Sequence, residues 1–90
     1  MNHLPEVWVL VEADLTRARR TLPDAATNDI AILEYQEFLD HNELELACDM
    51  LEAYAENNLV SEEFWLALRD AAAKMQLSEH ARRYERRISA

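Results

Sequence analysis

The chain contains no glycine in 90 residues. Glycine is the residue that reaches positive φ at little cost, so tight two-residue hairpin turns of the Asn-Gly kind are not available. Phosphate-cradling glycine loops and the strained nucleophile elbow are excluded on the same ground. Only two prolines occur, Pro5 and Pro23, and both fall outside the later periodic segments. Alanine, leucine, glutamate and arginine dominate, and all are good helix formers. The expected fold is all-α, a compact bundle of four to five helices built from antiparallel helix hairpins, in one domain near the small end of what folds alone.

Half of the residues are hydrophobic. That is too apolar for a disordered acidic tail. A single cysteine, Cys48, excludes an internal disulfide and any multi-cysteine metal site. The start MNHLPEVW lacks the basic region and apolar run of a secretory signal, and no apolar stretch approaches transmembrane length. A cytoplasmic, soluble protein is expected.

Hydrophobic periodicity places the helices. The first is predicted over 5–21, with Pro5 at its first position and Arg17, Arg19 and Arg20 at its end. Its inward residues are Val7, Leu10, Val11, Leu15, Ala18 and Leu22. Residues Pro23 to Thr27 form a link. The second helix is predicted over 28–40, burying Ile32, Tyr35, Phe38 and Leu39. The third is expected over 43–57, with Asn42 as its cap and Glu45 completing a capping box. Leu44, Ala47, Cys48, Leu51 and Ala55 are its core stripe. The fourth is expected over 62–76, capped by Ser61, with Phe64 or Trp65, Leu68, Ala72 and Met75 inside. A short fifth, 79–88, is expected to start at Ser78 and to end in Arg82, Arg83, Arg86 and Arg87. Ala47 and Ala81 stand 34 residues apart, the period of tetratricopeptide repeats. Little else matches at that offset, so hairpin packing is the preferred explanation.

Charge is distributed unevenly. No lysine or arginine lies between Arg20 and Arg69, while twelve carboxylates do, giving that segment a formal charge of −12 within a total of −9. On the third helix Glu45, Asp49, Glu52 and Glu56 recur at i, i+4, i+7 and i+11, which is one face. Three like-charge neighbour pairs cost roughly 1 kcal/mol in an isolated helix. Either the stripe is a solvated face offset by the chain's own ends (Arg17–Arg20 or Arg82–Arg87), or it awaits a cationic partner. So acidic a chain is not expected to bind nucleic acid or an anionic membrane directly.

The stretch Phe38-Leu39-Asp40-His41-Asn42-Glu43-Leu44-Glu45-Leu46-Ala47, followed by Met50-Leu51, resembles the central motif of MafI-type immunity proteins. These are small bacterial proteins encoded beside polymorphic or contact-dependent toxins. The pattern is an aliphatic residue, His-Asn-Glu, and a short leucine/alanine helix. An aromatic-containing helix and a Met-x-Leu-like ending follow, answered here by Phe64, Trp65, Leu68 and Met75-Gln76-Leu77. The resemblance covers roughly residues 30–77. Glu45 departs from it, since glycine is common there, and it accounts for neither the first helix nor the Arg-rich end. It implies a non-enzymatic protein that binds a cognate toxin domain, commonly a nuclease, and blocks it.

Taken with the charge, the resemblance makes Glu34, Glu37, Asp40, His41, Glu43, Glu45, Asp49, Glu52 and Glu56 the candidate partner-binding residues. Reversal of Asp49 and Glu52 to lysine is expected to spare the helices and weaken binding. A tetratricopeptide-like adaptor, or a homodimer joining the acidic middle of one chain to the basic end of another, is the second class. A small enzyme or metal-binding domain is the third. No cofactor and no metal is expected: His41 among carboxylates at a helix turn lacks the converging ligands that a metal needs, and His3 and His80 look terminal or superficial. Cys48 falls on the apolar stripe.

Overall fold

The computed structural model describes residues 6–88. Five α-helices are present: α1 (Glu6–Arg20), α2 (Ile30–Asp40), α3 (Leu44–Glu56), α4 (Glu62–Lys74) and α5 (Ser78–Glu85). No strand occurs among the described residues. The all-α expectation is borne out. Pro5, expected at the first helical position, lies outside the described residues, as does His3.

Each helix begins and ends for a local reason. Asp29 caps α2, its side chain accepting from Ala31 N–H at 2.8 Å. The preceding link is not irregular: Asp24–Asn28 form a 3₁₀ turn that buries Ala26. This turn takes Asn28, the first position of the helix predicted over 28–40, and α2 itself begins at Ile30. Ser61 caps α4 by accepting from Phe64 N–H. At the end of α3, Asn58 Nδ2 donates to the Tyr54 carbonyl at 2.9 Å.

Two turns solve the missing-glycine problem in the same way. After α2, Asn42 sits at φ 58°. Glu43 N–H donates to Phe38 O at 2.9 Å and Asn42 N–H to Leu39 O at 3.1 Å. After α4, Gln76 sits at φ 60°, with Leu77 N–H donating to Ala72 O and Gln76 N–H to Ala73 O. Both are Schellman terminations, normally built on glycine. Asn42 therefore closes α2 instead of capping α3; the residue before α3 is Glu43, and it makes no side-chain cap. Ser78 likewise lies inside α5, behind Leu77, and gives no capping hydrogen bond.

The termini of α2 and α4 are thus alike, 34 residues apart. They fold α2 back on α3 and α4 back on α5. Helix α1 runs antiparallel to α4 and packs most extensively against it. The core runs through all five helices: Leu15 and Ala18 of α1, Tyr35 of α2, Leu51 of α3, Leu68 of α4 and Tyr84 of α5 are all buried.

Helix α1 departs from its expected face. Val7 and Leu10 are exposed, as are Trp8 and Val9 between them. Burial starts only at Val11. The ion pair of Asp14 with Lys74, the last residue of α4, explains why. Residues 6–10 of α1 precede Asp14 by a turn or more, so in this antiparallel pair they extend past the end of α4 and stay exposed. Phe38 and Leu39 of α2 are half-buried, lying at the edge of the core.

Candidate functional site

The candidate partner-binding carboxylates divide into two groups with different surroundings. The first is on α3. Asp49, Glu52 and Glu56 lie at i, i+3 and i+7. Helix α5 presents His80 and Arg83, and the turn after it presents Arg87, at the same spacing. Because each hairpin reverses direction, α3 and α5 run parallel, and the two rows zip together with every pair 31 residues apart. His80 Nε2 lies 2.9 Å from Asp49 Oδ1, within hydrogen-bond distance. Arg83 grips Glu52 with two parallel hydrogen bonds, Nε to Oε2 and Nη2 to Oε1, both 2.9 Å. Arg87 Nη1 stands 3.6 Å from Glu56 Oε1 and its guanidinium lies over the Trp65 ring at 4.6 Å. Glu52 raises the Arg83 pKa, first through those hydrogen bonds; the cost of burial opposes this and is outweighed.

This arrangement corrects the expectation of a free stripe. Glu52 has a side chain only 15% exposed, with both oxygens occupied. Asp49 is half-buried. Of the four stripe residues only Glu45 and Glu56 remain exposed. Glu45 has a distant contact with His80, at 4.0 Å. The physical reason is the low charge cost of pairing: two like-charged rows that each repel themselves become complementary once parallel.

Three further basic residues, Lys74, Arg17 and Arg69, are engaged between α1 and α4 or within α4. Lys74 Nζ meets the buried Asp14 carboxylate at 2.6 Å. Arg17 donates to Asp70 at 2.9 Å and contacts Glu63 and Asp14. Arg69 also donates to Asp70. Burial pushes the Asp70 carboxyl upward, but the hydrogen bonds from Arg17 and Arg69 outweigh it and hold the group below the usual carboxylate range.

The second group is different. Glu34, Glu37, Asp40, His41 and Glu43 are all exposed. No lysine or arginine occurs anywhere from Thr21 to Leu68. Among the described residues these carboxylates make no ion pair within 4.0 Å. Asp40 accepts only from the neutral Gln36 amide, at 2.9 Å. The His41 pKa is raised, chiefly because Nδ1 donates to the Glu37 carbonyl at 2.8 Å; slight desolvation opposes this, and Glu37, Glu43 and Asp40 add to it. The charge that part of α3 loses to α5 persists here.

Other chemistry has little support. Among the described residues no three His, Cys, Asp or Glu side chains converge as a metal site. Burial pushes the Cys48 thiol up to about 12, which leaves it protonated and unreactive. A groove between the end of α4 and α5 is lined by Ser78, Arg82 and Glu85 but by no histidine that could activate the hydroxyl. Among the described residues, no helix is long and apolar enough to cross a membrane.

Of the two basic ends that the sequence offers to offset the α3 stripe, Arg82–Arg87 supplies Arg83 and Arg87, joined by His80; periodicity read one helix at a time does not choose between the ends. A signal did exist: the spacing 3 then 4 in Asp49, Glu52 and Glu56 recurs in His80, Arg83 and Arg87. Comparison with family models, curated proteins and solved structures finds no match for this chain.

Proposed function

We propose that the chain is a non-catalytic immunity protein that binds and neutralises a cognate bacterial toxin domain, with a nuclease as the favoured class. The observation that supports this most is the uncompensated charge of α2 and the turn after it. Glu34, Glu37, Asp40 and Glu43 lie in a segment without a single lysine or arginine, while much of the acidic row of α3 is matched by α5. A nuclease presents cationic surface to phosphate. An acidic helical face can occupy that surface, exclude substrate and steer fast association. The binding residues are accordingly weighted toward Glu34, Glu37, Asp40, His41, Glu43 and the exposed Glu45. Asp49 and Glu52 hold α5 in place, and Glu56 sits at the edge of that clasp.

The test is co-expression with the C-terminal domain of the large secreted protein encoded next to this chain. Restored growth, with an association rate that falls steeply as salt rises, is expected. Unrelieved toxicity, or the lack of any such neighbouring protein, would refute the proposal. A tetratricopeptide-like adaptor is the second candidate, favoured by the matching turns at Asn42 and Gln76. Its weak point is α1, which lies along α4 and stands outside any two-helix repeat.

A further inference from the structure

Helix α2 lies at the edge of the molecule, packed on α3 and the 3₁₀ turn. Ile32 and Tyr35 face that contact and are buried. The opposite face carries Ile30, Leu33, Glu34, Glu37 and Asp40, at spacings that align along one side of a helix. Ile30 is 72% exposed and Leu33 is 56% exposed. Solvated surface helices put polar residues on their outer face. Here the two large aliphatic side chains stand outward beside three carboxylates that make no ion pair among the described residues.

Resting on the binding function proposed above, we propose that this outer face of α2 is the docking surface for a basic amphipathic segment of the partner, with Ile30 and Leu33 as the apolar anchors. Charge complementarity selects the occupant. Two copies of this chain meeting through this same face would bring the same carboxylates against themselves. A purely apolar partner would strip water from Glu34 and Glu37 without pairing them. A segment bearing leucine-like side chains flanked by lysine or arginine satisfies both parts. The division of labour follows: carboxylates set encounter rate and orientation, and the desolvated aliphatic pair sets residence time.

The probe is a synthetic amphipathic helical peptide with leucines on one face and lysines and arginines on the other. Its binding is followed on the isotopically labelled full chain by amide chemical shifts. Saturable shifts centred on residues 30–43 are expected. The double variant Ile30→Ser, Leu33→Ser should weaken binding at least tenfold, mainly through dissociation, while Leu59→Ser, at an exposed aliphatic residue outside α2, should leave it unchanged. All three positions are exposed, and retained helical signal and melting temperature check that folding is intact. Unchanged affinity in the double variant would overturn the proposal. Shifts centred on the exposed start of α1, or equal losses on neutralising Glu62 and Glu79, would also overturn it. The same variants in the growth assay separate the two levels. If the wild-type chain rescues growth and the serine double variant rescues equally, the α2 anchor fails while the immunity function stands. If the peptide docks on α2 but no rescue occurs, the function fails while the docking surface stands.

Discussion

The Arg83–Glu52 clasp should couple α5 to α3 by a measurable free energy. Its size can be bounded from the two environments. A fully exposed ion pair contributes about 0–1 kcal/mol, whereas breaking a buried one costs about 3–5 kcal/mol. Glu52 is mostly buried, but Arg83 is 41% exposed, so solvent screens one half of the pair. The bidentate geometry adds two charge-assisted hydrogen bonds at 2.9 Å. A coupling of about 1–2 kcal/mol follows, nearer the exposed limit than the buried one. The perturbation is a double-mutant cycle of Glu52→Gln and Arg83→Met, the latter keeping the aliphatic stem. Urea unfolding supplies the free energies, and each single variant should also melt roughly 5–10 °C lower, as expected for a domain of this size. Arg87 with Glu56 is the internal control: at 3.6 Å, with both side chains well exposed, it should couple by less than about 0.5 kcal/mol. A Glu52–Arg83 coupling below about 0.3 kcal/mol, within the additivity expected of independent sites, would refute the assignment of these residues to holding α5. It would return Glu52 to the list of available binding groups. For the same reason, reversing Asp49 and Glu52 to lysine should now loosen α5 itself, because Arg83 would face a like charge.

Two further outcomes follow from the structure. Replacing Gln76 by glycine should raise stability by about 0.5–1 kcal/mol, because the side chain's penalty at positive φ exceeds the added entropy of the unfolded chain; a lower melting temperature would contradict the Schellman assignment. The depressed Asp70 pKa sets the sign of an acid effect: its contribution is present above the unfolded carboxylate value, near 3.8, and is lost as pH falls through the lower folded value. Asp70→Asn should therefore flatten the stability profile below about pH 4, and an unchanged acid limb on urea unfolding would show that Arg17 and Arg69 do not stabilise the ionised form.

Much of the fold was legible in the chain because helices are short-range objects. The Leu44, Ala47, Cys48, Leu51 and Ala55 stripe is buried throughout, and the cap at Ser61 forms as its position suggests. Where local rules compete, the outcome was less legible. Asn42 satisfies either a cap before α3 or a left-handed stop after α2, and the two hydrogen bonds closing α2 decide for the stop. Val7 and Leu10 have core spacing, yet they extend past the neighbour that would bury them. The site divides along the same line. The −12 segment and the exposure of Glu34, Glu37 and Asp40 follow from composition and from the phase of α2.

By itself the sequence settled the all-helical class, the approximate helix positions and the long run of unrelieved negative charge, since each depends on residues within a turn or two of one another. Only the tertiary structure decided which of those charges are free. Two consecutive hairpins lay α3 and α5 parallel, and that topology brings His80, Arg83 and Arg87 onto Asp49, Glu52 and Glu56 from 31 residues away. Coulomb pairing depends on distance in space, so the balance of an acidic row cannot be drawn until its neighbours are in place.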